Sequence, residues 1–452
     1  MHLTSRRHAR PHFASTATWA AALIALAVGI LDAQSVSAAD SGDTLRLATI
    51  YARADSASPR LIIARAEARA AEARVAGTAR PPDPMLQLAV MNRALPGLAP
   101  MPYTGMTQLQ LTQMLPVAGQ LGLAKKFAAA RAGAAGDRVI ETRRDARARA
   151  AMTFYELYAA TQSIRVATET RELLRDLDRA VQTMYSVGRG RQADVLRAQV
   201  EVARMTEVII RMRTMRTILL ARLEAELGGP VADSSTPIAR PRFPSALPSL
   251  DTLVEHAAAD RGMVRAARND LRAAGASARL AQRSIWPDVE LGLQFAWQGN
   301  GAGGTDYMGG LMIGASVPVF AGSRQLRMRE ETVAMQQAAA AEVREALADT
   351  RARLTQAYAE VERARRLDAL YRATILPQAE AALGASLAAY RTGSVDFMTL
   401  VENQMIVNRY RQELFALEAE QGTAIADLEM LTGEQLVDAA STADVAREET
   451  ER

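Results

Sequence analysis

The sequence predicts a mainly helical protein that also gives four β-strands to a membrane, and three observations carry the prediction. The chain is an internal duplication at a constant offset of 205 residues, in which Tyr185, Gly188 and Gln199 reappear as Tyr390, Gly393 and Gln404. Each copy holds one pair of short segments with a two-residue apolar period. Each copy then continues into a helical run far longer than a globular domain needs, at about 1.5 Å per residue.

The strands come in matched pairs. In "MLQLAVMN", Leu86, Leu88 and Val90 alternate with Gln87, Ala89 and Met91, and in "TQLQLTQ" Leu109 and Leu111 alternate with Gln108, Gln110 and Thr112. The second copy sets Val289, Leu291, Leu293, Phe295 and Trp297 against Glu290, Gly292, Gln294 and Ala296, and returns through "GLMIGASV". Pro82-Asp83 and Pro287-Asp288 precede the first strands, and "LPVAG" and "VPVFAG" follow the second. Four strands are too few to close a barrel, and a bilayer forbids unpaired edges, so several copies would have to share one. Strands of about 9 to 11 residues span a membrane when tilted.

The helices fold back on themselves. Val195, Ala198, Val202, Met205, Ile209, Met212, Leu219 and Leu223 follow a seven-residue repeat broken by Arg216, and Leu400, Asn403, Val407, Tyr410, Leu414, Leu417, Ala424 and Leu428 keep the phase. Heptad helices joined by a short turn containing Gly188 or Gly393 make antiparallel coiled-coil hairpins. Pro377 lies in the second long helix, where a kink or a break is expected.

The expected order is a signal peptide over 1–39, helices over 40–82, a first β-hairpin over 83–117 and a first helical hairpin over 118–229. A proline-rich connector over 230–249, a helical segment over 250–284, a second β-hairpin over 285–320, a second helical hairpin over 321–434 and a mobile tail over 435–452 complete it. The helical hairpin tips fall near 188–194 and 393–399.

Composition excludes several functions. There is no cysteine, hence no disulfide, thiolate metal site, cysteine nucleophile or lipidated N-terminus. Three of the four histidines, His2, His8 and His12, lie in the signal, which leaves His256. Without the signal the chain has 51 basic and 49 acidic residues, so no nucleic-acid partner is expected. "GNGAGG" lacks the following helix of a nucleotide loop, and "GASVP" lacks the second glycine of a nucleophile elbow. Met85, Met91, Met106, Met114, Met308 and Met312 suggest a soft-metal relay, but methionine is also an adaptable apolar filler.

The motifs "PDPML", "TQMLPVAGQLGL" and "ILPQA", with Tyr185-x-x-Gly188 and Tyr390-x-x-Gly393, resemble the TolC-like outer membrane efflux protein family over nearly the whole mature chain. The resemblance implies a homotrimer in which each chain gives four strands to a twelve-stranded outer-membrane β-barrel and its helices to a long periplasmic α-barrel. It implies passive conduction, with a periplasmic adaptor docked at the tips and an inner-membrane pump, the RND type among the candidates, supplying energy. No catalytic residue, cofactor or bound metal is then required. "PPDPMLQLAVMN" and "MTQLQLTQMLPVAGQLGL" look most like the branch paired with heavy-metal cation pumps.

Under this resemblance Tyr185, Gly188, Tyr390 and Gly393 form the adaptor-docking tips. Asp194, Asp396 and Glu402 are candidates for carboxylate rings around the aperture, although Thr399 replaces the family's second-half acid. Arg189, Arg191 and Arg391 are candidates for ion pairs that hold the aperture shut. A type I protein-secretion channel, a periplasmic coiled-coil adaptor and a periplasmic enzyme are the rival readings; the adaptor leaves the duplicated strand pairs unexplained, and for an enzyme the sequence offers only scattered carboxylates.

Overall fold

The computed structural model describes residues 44–437 apart from 95, 96, 98, 102–104, 233–235, 301 and 302. The expected signal peptide and residues 438–452 of the expected tail lie outside the described residues.

The duplication is visible in the ends of the helices. The long helix α3, Gln120–Ser186, is 67 residues and so about 100 Å in length. Its counterpart is α7, Gln325–Leu370, continued by a five-residue π-turn, Tyr371–Ile375, and α8, Leu376–Arg391. The return helices α4, Gln192–Leu227, and α9, Phe397–Thr432, also begin and end 205 residues apart, and the caps Gly228 and Gly433 are both left-handed. Pro377 therefore does not break the second run. The π-turn just before it lets the Leu376 N–H donate to the Tyr371 carbonyl, five residues back, and accommodates a residue that has no N–H to give.

Each long hairpin is preceded by a shorter helix pair: α1, Leu47–Ala57, with α2, Pro59–Thr78, and α5, Leu250–Asp260, with α6, Gly262–Arg283. The continuous runs expected over 44–79 and 250–284 are thus each divided. The extended backbone of Ser58 ahead of Pro59 divides the first, and that of Arg261 the second. Arg261 is fully buried and donates to Glu141 at 3.1 Å, Asp349 at 3.3 Å and Thr350 at 2.7 Å, so it ties α5–α6 to α3 and α7.

The heptad stripe of α4 is buried at Ala198, Met205, Ile209, Leu219 and Leu223. Its interruption, Arg216, is buried as well, donating to the Thr161 hydroxyl and the Thr236 carbonyl. Phe154, Tyr155, Leu157, Tyr158, Leu354, Val361, Ile425 and Leu428 form the main core with the short helices around them. The proline-rich connector belongs to that core. Its Ile238 bridges Leu45 in parallel, Phe243 lies 5.9 Å from the Tyr155 ring, and Arg240 donates to Glu418 at 2.8 Å. The start of the expected tail is likewise held, because the N–H groups of Leu436 and Val437 donate to the Glu429 carboxylate.

The strands β1, Met85–Met91, β4, Met106–Leu115, β5, Val289–Gly299, and β6, Thr305–Ala315, form one antiparallel sheet in the order β1-β4-β5-β6. A two-residue ladder, β2 (Arg93–Ala94) with β3 (Ala99–Pro100), adds structure inside the first connecting loop, which the sequence does not reveal. Within the chain, β1 and β6 each keep one unpaired edge.

Candidate functional site

Two regions hold the candidate residues, and the first is the sheet. Register places Leu86, Leu88, Leu109, Leu111, Leu293 and Ile313 on one face, and Gln87, Gln108, Gln110, Gln294, Gln298 and Glu290 on the other. The apolar face is the open one: Leu88 is 65% exposed, Leu293 60% and Ile313 73%. The polar face is enclosed on the two central strands, with Ala296 at 2% and Thr112 at 8%, and open along β1 and β6, where Met85 is 59% and Met308 45% exposed. This is the reverse of a sheet folded for water. An exposed apolar band of this kind marks a surface that meets lipid or another protein.

Aromatic residues border the apolar face. Trp297 lies directly opposite Tyr307, whose ring stacks on Phe295 at 6.0 Å. At the other end, where the strands meet the helices, Trp286 and Phe320 are strongly exposed. Such girdles mark the two interfaces of a bilayer.

The second region is the pair of tips, built alike to the residue. The Gly188 N–H donates to the Tyr185 carbonyl at 2.9 Å and the Gly393 N–H to that of Tyr390 at 3.1 Å. The following N–H groups, of Arg189 and Ser394, close onto Met184 and Ala389. Both glycines are left-handed, with φ of 79° and 74°, and nothing lies within 4 Å of where a Cβ would be, so conformation and not space requires glycine.

The candidate acids take different roles. Asp396 is the N-cap of α9: its Oδ1 accepts from the Thr399 N–H at 3.1 Å and from the Thr399 hydroxyl at 2.6 Å. These bonds, with the Arg191 charge, hold its carboxyl below the usual range. The Thr399 that replaces an acid in the second half is thus the partner of Asp396, which itself stands where the first half has Arg191. Asp194 sits half-buried in the first turn of α4. Burial, followed by the charge of Asp194, raises the Tyr390 hydroxyl, so the structure brings Asp194 and Tyr390 together across the two hairpins. Glu402 is exposed.

Arg189, Arg191 and Arg391 are exposed, and among the described residues none makes an ion pair within 4.0 Å. What joins the tips inside one chain is apolar. Val181, Ala198, Phe397 and Val401 are buried together, with Tyr390 packed against them at 5.9 Å from the Phe397 ring. Sequence reading missed this seam, because Phe397 aligns with Gln192 and so has no apolar counterpart in the other half. It also missed Glu418, a buried carboxylate that accepts from Tyr158, Arg240 and Arg372 and joins α3, the connector and the π-turn. Burial next to Glu418 pushes the Tyr158 hydroxyl well up.

Residues 253–434 match the family described as outer membrane efflux protein. The fold of this chain is that of the TolC-like outer membrane channels. Solved structures with the same fold include CusC, described through its transmembrane channel formation (16% identity, TM-score 0.73, covering 87% of this chain and 94% of CusC). The outer membrane protein VceC of Vibrio cholerae is 19% identical with a TM-score of 0.72, over 86% of this chain and 96% of VceC. The MtrE outer membrane channel of Neisseria gonorrhoeae is 14% identical with a TM-score of 0.73, over 86% of this chain and 89% of MtrE. No curated protein matches the chain in sequence. The efflux family and these neighbours are channels and not enzymes. No helix among the described residues is long and apolar enough to cross a membrane.

Proposed function

We propose that three copies of the chain form the outer-membrane channel of a tripartite efflux system. The observation that carries this reading is the sheet whose apolar face is open, whose polar face is enclosed on its central strands and whose two edges are unpaired within the chain. Joining β1 of one copy to β6 of the next closes twelve strands, satisfies every backbone edge and lines the bore with glutamine. The helices support the same assembly, since α4 exposes a second apolar stripe, Leu196, Val200, Ile210, Met215 and Ile218, opposite its buried one.

The channel works passively. Cargo, with metal cations as the favoured class, arrives from an inner-membrane pump through a periplasmic adaptor that seats on the tips at Tyr185–Gly188 and Tyr390–Gly393. Threefold copies of Asp194 and Glu402 near the aperture lower the energy of a passing cation and raise that of an anion. Asp396 contributes charge while serving as a cap. Arg189, Arg191 and Arg391, which make no ion pair within 4.0 Å among the described residues, meet carboxylates of a neighbouring copy and hold the aperture narrow.

The test is extraction from isolated outer membranes, mass determination of the detergent-solubilised particle and reconstitution in planar bilayers. A trimer with cation-preferring conductance is expected. A soluble monomer without conductance contradicts the proposal and returns the adaptor reading.

A further inference from the structure

The methionines of the sheet are not distributed as apolar filler. Met85, Met91, Met106, Met114, Met308 and Met312 all fall on the polar face by register, and none falls on the apolar face. The polar face carries no leucine, isoleucine, valine or aromatic residue within the four strands, while the apolar face is rich in them. Methionine and leucine are nearly equal in volume and interchange readily where only packing matters. What methionine adds is a thioether sulfur, a soft ligand.

The six residues lie in two bands. At the outer end Met91 stands directly opposite Met106, on a rung that continues through Gln298 to Asp306, and Met308 follows on the next rung. At the helical end Met85 and Met312 share a rung, with Met114 paired to Glu290 on the next. The rung between the bands holds Gln87, Gln110 and Gln294. Each band thus has three thioethers and one carboxylate. Directly opposed residues have Cβ atoms about 5 Å apart, so Met91 and Met106 can offer both sulfurs to one ion.

We propose that these bands bind and pass soft monovalent cations, Cu(I) or its analogue Ag(I). The proposal rests on the reading that the polar face lines the bore of a trimer. Two neutral thioethers bind such an ion, the nearby carboxylate compensates its charge, and repeated modest sites let it move on, as conduction requires.

The test uses the full-length protein in detergent, titrated with Ag(I), with the silver coordination shell read by X-ray absorption and K⁺ conductance measured on the same preparations. Three proteins are compared: the wild type, a variant with all six residues changed to leucine, and a control with M184L and M215L. The expected result is a silver–sulfur shell in the wild type and control, about tenfold weaker Ag(I) binding in the six-fold variant, and K⁺ conductance unchanged in all three. Equal Ag(I) binding and an equal sulfur shell in wild type and variant overturn the proposal. Loss of Ag(I) binding in a protein that never conducts K⁺ supports the thioether site while sinking the channel reading. Should the six-fold variant fail to assemble, M91L/M106L alone must still weaken binding at the outer band.

Discussion

Single residues show how much of this structure hangs on charge placed at helix ends and between helices. Burial pushes the Asp55 carboxyl up, but hydrogen bonds and charge from Arg143 and Arg147 outweigh it and hold the group at about 2. A carboxyl depressed in the fold stabilises it above the unfolded value and loses that contribution as pH falls through the folded one. D55N should therefore cost on the order of 2 kcal/mol at pH 7. Thermal melts should show the gap to the wild type closing between about pH 4 and pH 2. At the tips, G188A or G393A should cost about 1 kcal/mol, because an L residue is forced into a left-handed turn. Of the candidate acids, E402Q and D194N should lower the cation-to-anion permeability ratio in bilayer recordings. D396N should instead show mainly as loosening of the start of α9, read by hydrogen exchange at Phe397–Thr399.

At the scale of elements, the sequence made the strands, the long helices and both tips legible, because each rests on a local signal: a period of two, a period of seven, a glycine after a tyrosine. The duplication made them more legible by stating every signal twice. What stayed hidden depends on contacts between distant segments. Arg216 reads as a flaw in a heptad until Thr161 and the Thr236 carbonyl are found around it. The connector reads as a linker until Leu45 and Ile238 are seen to bridge. Asp396 reads as a ring carboxylate, and its bonds to Thr399 add a role as helix cap that the sequence does not announce. The faces of the sheet were readable from alternation, but which face is enclosed was not, since curvature is a property of the paired strands. That assignment has a direct consequence. L293R, in the middle of the open face, should cost about 2–4 kcal/mol and deplete the protein from the outer membrane. Q294R, its neighbour on the enclosed face, should assemble normally and change ion selectivity instead, as membrane fractionation and conductance together will show.

The molecule as a whole is explained by one requirement: a sheet with an open apolar face and a polar face enclosed only on its central strands has to find partners for its two edges. Long helices alone would suit an adaptor or a scaffold; unpaired edges call for partners, and in the proposed trimer three copies of four strands would close a ring wide enough to conduct. The absence of cysteine from the chain makes this directly measurable. A cysteine at Leu88 on β1 is combined in turn with one at Tyr307, Leu311 or Ile313 on β6, and membranes are oxidised and run on denaturing gels. The account predicts that at least one combination gives a covalent ladder that stops at three chains, with each single-cysteine parent staying monomeric. A chain that remains monomeric in every combination, or a ladder that runs on past three, would contradict it.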